Sequence, residues 1–179
     1  MTDKDNDIIA TLRFDSDTGF KMLLTRYKEP IYWHIRRLVV SHDDAQDATQ
    51  EAFIRVFRSF RQFHGDCSFR SWVYRIATNE ALRQIGKRRQ EDISIDSEST
   101  GVNLIVADTY VDDADKLAVK LQKAILTLPP KQQLAFNLRY YDNLGFDEIA
   151  KIADSTAPSI KASYHVAKEK IIKYMNLND

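Results

Sequence analysis

Aromatic and basic side chains are concentrated in residues 67–89, CSFRSWVYRIATNEALRQIGKRR. Trp72 and Tyr74 stand there among five arginines and one lysine, and the only acidic residue is Glu80. Basic side chains follow a phosphate backbone and exposed aromatic rings stack on unpaired bases, so the two together form a platform for single-stranded nucleic acid. The composition of this segment therefore predicts a contact with nucleic acid.

The spacing of the same segment divides it into a buried and an exposed face. One apolar stripe has the three-and-four spacing of a helix face: Phe69, Trp72, Val73 and Ile76. We therefore expect much of Trp72 to lie in a core. Arg75, Asn79 and Arg83 fall on the polar flank of this stripe. Tyr74 points elsewhere, where its ring is freer to stack on a base.

A second basic helix is predicted near the end of the sequence. Its apolar stripe should pack against the preceding helices and consists of Ile160, Tyr164, Ala167 and Ile171. The residues left facing outward are Ser159, Lys161, Ala162, His165 and Lys168. A helix of this width fits the major groove of duplex DNA, where its N-terminal half reaches base edges and its lysines neutralise phosphates. An ordinary amphipathic surface helix has the same spacing, which leaves both interpretations open.

The turns before this helix follow the order of a helix-turn-helix motif. Pro129 and Pro130 end one helix and open the next, because proline suits a first turn and breaks an interior. A short helix over about 147–153 and a tight turn come next, and Thr156 can cap the last helix. A short helix, a turn and a longer basic helix are the parts of a DNA-binding helix-turn-helix.

The first ninety residues are also helical in pattern. A spacing of three and four recurs before the loop predicted at Gly65, as in Ala45, Ala48, Ala52 and Val56. Ser41 or Asp43 can cap the helix that carries this stripe. No strand-like alternation competes anywhere in the sequence, so the predicted fold class is all α.

Charge divides the 179 residues into three zones, although the formal net charge is zero. Residues 1–90 hold 16 Lys and Arg against 12 Asp and Glu, and residues 116–179 hold 10 against 6. Residues 91–115 hold eight acidic and no basic side chains, with the Ser, Thr and Gly typical of irregular chain. We predict two small helical domains joined by an acidic linker, which is either a solvated spacer or an active segment. Its apolar patch, Val102 to Ala107, indicates that part of it docks.

No constellation for catalysis or metal binding is present in the sequence. Cys67 is the only cysteine, which excludes an internal disulfide. His64 and Asp66 stand beside it, but one Cys with one nearby His is two ligands short of a closed zinc site. We therefore predict no enzyme activity, no cofactor and no metal. The sequence contains neither a signal sequence nor an apolar run of about 18 residues, which predicts a cytoplasmic protein without membrane insertion.

Two long segments resemble bacterial sigma factors of the sigma-70 family. DAQDATQEAFIRVFRSFRQFHGDCSFRSWVYRIATNEAL is similar to region 2, and LTLPPKQQLAFNLRYYDNLGFDEIAKIADSTAPSIKASYHVAKEKI is similar to region 4. Their order and the short linker resemble the extracytoplasmic-function (ECF) group. The resemblance implies an alternative sigma factor that binds the β′ clamp helices and β flap of core RNA polymerase and directs it to promoter DNA. It also implies an anti-sigma factor as a partner.

The resemblance further implies roles for individual residues. The positions that match the face bound by the β′ clamp helices are Asp47, Gln50, Glu51 and Ile54. Those that match the loop and helix for capturing and following the minus-ten strand are Phe63, His64, Asp66, Ser68, Trp72, Tyr74, Arg75, Asn79 and Arg83. Those that match the recognition helix for the minus-thirty-five element are Ser159, Lys161, Ala162, His165 and Lys168.

The recognition helix departs from the family pattern. Family members commonly carry arginine where this chain has Ser163 and Val166, and serine where it has Ala162, so fewer side chains here can make bidentate base contacts. We therefore expect sequence reading to depend more on phosphate geometry and DNA shape. The alternative function is a transcription regulator in which the helix-turn-helix binds duplex DNA while the N-terminal domain senses a ligand or a partner.

Overall fold

The computed structural model describes residues 3–39, 41–93 and 113–177, and the regular structure within these ranges is helical throughout. The α-helices in chain order are α1 Asp3–Phe14, α2 Ser16–Leu38, α3 His42–Ser59, α4 Phe69–Ile93, α5 Asp113–Leu126, α6 Pro130–Tyr140, α7 Phe146–Ile152 and α8 Ala157–Leu177. A short 3₁₀ turn, Phe60–Gln62, follows α3. The all-α prediction is confirmed.

The chain divides into two compact units, Met1–Asp96 and Ser97–Asp179, which we call the N-terminal and C-terminal units. The helices overlap both ends of the predicted linker, because α4 continues to Ile93 and α5 begins at Asp113. The stretch predicted as a spacer is therefore helical at its first three and last three residues. The predicted docking patch, Val102 to Ala107, lies outside the described residues.

In the N-terminal unit, α1 packs against α2 across a corner at Asp15. The Asp15 carboxylate accepts hydrogen bonds from the backbone N–H groups of Asp17 and Thr18, each at 3.2 Å, and so caps α2. Gly19 lies at a close approach of the two helices. A Cβ atom at this position would lie 2.5 Å from the backbone nitrogen of Leu12, so the approach requires glycine.

The helices α2, α3 and α4 share one core. The predicted stripe of α3 is buried as expected: Ala45, Ala48, Ala52 and Val56. Of the two candidate caps it is Ser41 that caps α3, because its Oγ accepts the Asp44 N–H at 3.4 Å. On α4, the fully buried apolar side chains are Phe69, Val73, Tyr74, Ala77 and Ala81.

In the C-terminal unit, α5, α6 and α8 enclose an apolar cluster of Ala124, Ile125, Leu128, Phe136, Ala167 and Ile171. Pro130 occupies the first turn of α6, as predicted. Thr156 caps α8, because its Oγ1 accepts the Ser159 N–H at 3.4 Å. The predicted order of a short helix, a turn and a longer helix is confirmed by α7 and α8. Within the described ranges, no helix has the length and apolar character needed to cross a membrane.

Candidate nucleic-acid and polymerase interfaces

The solvent-facing side of α3 is polar and acidic. Asp47, Gln50 and Glu51 are exposed, and Ile54 is half-buried one turn further along. The opposite side of the helix is fixed in the core by its alanine stripe. The four residues predicted to bind the clamp helices therefore form one continuous face, and tertiary packing holds that face outward.

A groove of about 610 Å³ separates this face from α4. Its α3 wall includes Asp44, Asp47 and Glu51, and its α4 wall includes Glu80, Arg83, Gln84 and Lys87. The Gln84 side-chain amide donates a hydrogen bond across the groove to Asp44 at 3.1 Å. Arg83, which the resemblance places on the minus-ten strand, thus lies beside the predicted polymerase face.

Glu80 is a buried carboxylate at the base of this groove and is 5% exposed. Its Oε1 pairs with Arg55 Nε of α3, and its Oε2 lies 3.4 Å from Arg83 Nη1 of α4. Burial raises the pKa of Glu80, and the charge of Arg55 opposes that shift. Glu80 has no role among the predictions made from the sequence. The available signal was its position as the only acidic residue in a basic segment.

The loop from Phe63 to Ser68 is anchored at both ends. Phe63 is 7% exposed, and its ring centroid lies 5.2 Å from that of Trp72. Ser68 caps α4, because its Oγ accepts the Ser71 N–H at 3.1 Å. Gly65 has a φ of +87°, a conformation that favours glycine. His64 and Asp66 are exposed on either side of it, so the loop presents its middle residues and buries its ends.

In the first turns of α4, the observed burial agrees with the prediction for Trp72 and disagrees with that for Tyr74. Trp72 is half-buried and stacks on Phe69 with ring centroids 5.9 Å apart, while Arg75 and Asn79 are exposed. The prediction that Tyr74 is free to stack on a base is wrong, because the residue is 1% exposed. Since α4 packs against both α2 and α3, a second side of the helix is buried.

Tyr74 belongs instead to a buried polar-aromatic cluster. Its ring centroid lies 5.2 Å from that of His34, and the Arg70 guanidinium lies 5.5 Å from its centroid. His34 Nε2 lies 2.9 Å from Thr78 Oγ1 and shares a hydrogen bond with it. These contacts join α2 to α4, and the aromatic ring of Tyr74 packs in the core.

The outward face of α8 has the predicted composition. The exposed members are Lys161, Ala162, His165 and Lys168, and Ser159 is half-buried. The helix is oriented by Ile160, Ala167 and Ile171, which are buried, and by Tyr164, which stacks on Phe136 with centroids 5.9 Å apart. Lys131 was not predicted from the sequence; its Nζ donates a hydrogen bond to Ser159 Oγ at 3.0 Å from the first turn of α6. Its position directly after Pro130 was the available signal.

Metal ligands are not clustered in the part of the chain that the structure describes. No group of three or more His, Cys, Asp and Glu side chains there could hold a metal ion. Cys67 is half-buried in the loop before α4.

Comparisons with known proteins match both units. Residues 23–91 match the family model for Sigma-70 region 2, and residues 118–171 match that for Sigma-70, region 4. The ECF RNA polymerase sigma factor SigW of Bacillus subtilis (strain 168) is 31% identical over 93% of this chain and 94% of its own length. The RNA polymerase sigma-H factor of Pseudomonas aeruginosa is 26% identical, with coverage of 96% and 93%.

Solved structures support the same fold. The structure of CnrH in complex with the cytosolic domain of CnrY has a TM-score of 0.74 at 16% identity and covers 99% of this chain and 100% of the matched chain. The N-terminal unit matches sigma region 2, which decides against a ligand-sensing domain and with it the regulator interpretation. With region 2 and region 4 in order and a relative at 31% identity over nearly its whole length, this chain belongs to the ECF group of the sigma-70 family.

Proposed function

We propose that this chain acts as an alternative sigma factor through three separate faces. The α3 face binds core RNA polymerase, the loop at 63–68 and the start of α4 hold the opened minus-ten strand, and α8 reads the minus-thirty-five element. It performs no reaction of its own and acts in the cytoplasm with the polymerase. The observation that carries the proposal is the match of both units to sigma regions, together with the outward placement of their polar helix faces.

The α3 face suits a basic partner. Asp47 and Glu51 are exposed one turn apart, and Gln50 and Ile54 add a hydrogen-bonding and an apolar contact beside them. Opposite charges across an interface steer association and fix its register. We therefore assign this face to the β′ clamp helices.

The loop before α4 suits an extruded base. Gly65 turns the chain, so that His64 and Asp66 project beyond the anchored ends of the loop. Extruding a base costs a few kcal/mol of unstacking, which pocket contacts and stacking must offset. Trp72 presents the unburied part of its ring at the start of α4, and Arg75 and Asn79 continue along the exposed face. Phe63 and Ser68 support the loop from below.

The face of α8 suits phosphate contacts more than base reading. Lys161 and Lys168 supply positive charge, and His165 and Ser159 supply hydrogen bonds. Ala162 has no hydrogen-bonding group at a central position, so it can make only apolar contact there. We assign this face to the minus-thirty-five element, read largely through phosphate geometry and DNA shape.

An anti-sigma factor completes the set of proposed partners. The solved structures of like fold include CnrH with the cytosolic domain of CnrY, and the sigma factor RpoE with the anti-sigma factor NepR from Bartonella quintana. The latter matches this chain with a TM-score of 0.71. We propose a corresponding inhibitor for this chain, which would cover its polymerase-binding and DNA-binding faces.

Run-off transcription tests the proposal. Purified core polymerase is supplied with promoter fragments, with and without this protein, at moderate salt because phosphate contacts weaken steeply as salt rises. We expect initiation from a discrete promoter set only when the protein is present. The proposal fails if the protein binds duplex DNA but never associates with core.

Charge variants separate the faces. Glu51→Lys should raise the Kd for core by about tenfold or more, since like charges across an interface cost several kcal/mol. Glu29→Lys, an exposed position on α2, is the matched control and should leave that Kd nearly unchanged. Lys161→Ala should weaken promoter binding without affecting core affinity, with Lys173→Ala near the end of α8 as its control.

A further inference from the structure

One buried carboxylate links the two functional helices of the N-terminal unit. Glu80 lies on α4, is 5% exposed, and pairs with Arg55 on α3 and Arg83 one turn further along α4. A charged side chain is almost never this buried unless it is paired. Each of its two oxygens faces one arginine, so the carboxylate holds both guanidinium groups.

Both arginines paired with Glu80 are partly exposed, and Arg83 lies at the groove between α3 and α4. The side chains of Arg55 and Arg83 are each 45% exposed, which leaves part of each guanidinium group on the surface. Arg83 lines the groove together with Asp47 and Glu51 of the predicted polymerase face. Releasing Arg83 from Glu80 would leave a buried charge with one partner fewer. The bound position of Arg83 is therefore the favoured one.

Arg75 provides the contrast on the same helix. It is exposed two turns before Arg83, beside Asn79 on the face assigned to the minus-ten strand. Arg75 can meet a phosphate directly, whereas Arg83 must first give up an ion pair with a buried carboxylate. The two arginines therefore differ in availability although the sequence spacing places them on one flank.

We propose that Glu80 is a positioning residue that directs Arg83 towards the polymerase face of α3 and withholds it from the minus-ten strand. The inference rests on the proposed sigma function and assigns Arg83 to a different face from the one its spacing suggests. Without the Glu80 charge, Arg83 can contact a phosphate group of the minus-ten strand. The groove beside Asp47 and Glu51 also becomes more positive. The same change therefore strengthens single-strand binding and weakens core binding.

Glu80→Gln tests this assignment in the full-length protein. We expect the Kd for core polymerase to rise about threefold to tenfold as the groove loses one negative charge. The holoenzyme is formed at concentrations well above the Kd of each protein for core polymerase. Its affinity for a single-stranded oligonucleotide of the non-template strand should then rise severalfold. Its salt dependence should steepen by about 0.7 in log–log slope, the value for one additional phosphate contact on a single strand.

Two further variants identify Arg83 as the cause. Arg83→Gln should lower oligonucleotide affinity by less than twofold in the native background and should abolish the gain in the Glu80→Gln background. Arg75→Gln is the matched control, and it should lower oligonucleotide affinity severalfold in both backgrounds. A loss of fold in the Glu80 variant would weaken both affinities together, so opposite changes distinguish positioning from a structural defect.

Three results would overturn the inference while leaving the sigma function intact. The first is a Glu80→Gln protein whose two affinities change in the same direction, and the second is an unchanged salt slope. The third is an Arg83→Gln effect on the oligonucleotide equal to that of Arg75→Gln, which decides the matter even if the Glu80 variant does not fold. Failure of the wild-type protein to bind core would instead reject the proposed function and this inference with it.

Discussion

Buried polar side chains that join helices in the N-terminal unit contrast with one buried amide in the C-terminal unit, Asn137. In the N-terminal unit, Asp5 pairs with Arg26 at 2.9 Å and accepts the Tyr27 hydroxyl at 2.8 Å. The pairs of His34 with Thr78 and of Glu80 with Arg55 likewise join different helices. In the C-terminal unit, Asn137 on α6 is fully buried, and neither atom of its side-chain amide has a hydrogen-bond partner within the described part of the chain.

This contrast follows from what each unit must position. The N-terminal unit holds the proposed binding faces on two helices, α3 and α4, and directional polar contacts between helices fix their relative placement. The C-terminal unit orients one helix, α8, for which aromatic packing such as the Phe136–Tyr164 stack is sufficient. Removal of the Tyr27 hydroxyl should therefore destabilise the N-terminal unit, whereas removal of the Asn137 amide should stabilise the C-terminal one.

The largest effect is expected at Gly19, where α1 and α2 pack closely. Gly19→Ala places a methyl group 2.5 Å from the backbone of Leu12, which cannot move aside as a flexible side chain would. We expect a loss of about 3 kcal/mol in unfolding free energy, at the upper end of overpacking costs. Urea unfolding followed by tryptophan fluorescence measures it, because both tryptophans, Trp33 and Trp72, lie in this unit.

Gly86→Ala is the control for the loss of a glycine. This residue is exposed on α4, and a Cβ atom there meets nothing within 4 Å. Alanine should stabilise the helix by about 0.5–1 kcal/mol through its lower backbone entropy. Equal effects of the two substitutions would show that α1 does not pack closely on α2 in solution.

Local signals made the C-terminal unit predictable. Proline at the start of α6 and the Thr156 cap of α8 act on their own turns, so the sequence was sufficient to place these helices. The outward face of α8 followed from its single buried stripe. The polar face of α3 was predictable because its alanine stripe marks the opposite, buried side of the helix.

Long-range packing was not predictable in the same way. Tyr74 is buried because α4 meets both α2 and α3, and a helix period alone identifies one stripe. Glu80 pairs with Arg55, which is far away in the sequence, so nothing in the spacing of residues 67–89 relates them. The ion pair of Glu80 with Arg83 lies within α4, but the burial of Glu80 depends on the tertiary contact between α3 and α4, which the spacing does not show.

Asn137→Leu is expected to raise the free energy of unfolding, whereas Gly19→Ala is expected to lower it. Asn137→Leu removes two buried amide atoms that have no hydrogen-bond partner among the described residues, and the cost of leaving such a group unsatisfied is about 1–3 kcal/mol. We expect a net gain of about 1–2 kcal/mol in the stability of the C-terminal unit, since the larger side chain also needs room. Slower hydrogen exchange of the α6 and α8 amides would report this gain separately from the N-terminal unit.

Asn176→Leu, at an exposed position in the last turn of α8, is the matched control. It makes the same chemical change without relieving a buried group, and exchange in α6 should stay as in the wild-type protein. Faster exchange in the Asn137 variant would mean that the amide is satisfied in solution. The contrast between the two units would then be lost.

The smallest effect is expected at Tyr27, whose hydroxyl bonds to Asp5. Burial and the Asp5 carboxylate raise the pKa of Tyr27 well above its usual value near 10. Tyr27→Phe should cost about 1 kcal/mol at neutral pH through the lost hydrogen bond. The wild-type protein should also lose stability above about pH 10, where the unfolded tyrosine ionises and the folded one does not.

The pH dependence distinguishes the hydrogen bond from simple loss of packing. Because the phenylalanine of the variant cannot ionise, the stability difference between the wild-type protein and the variant should narrow as pH rises above about 10, and urea titrations at about pH 7 and 10.5 would measure it. Tyr32→Phe removes a tyrosine from the same helix, and it should retain the alkaline loss that Tyr27 causes. A constant difference across this range would place the Tyr27 hydroxyl in water rather than on Asp5, and the N-terminal unit would then depend less on polar pairing than its remaining contacts suggest.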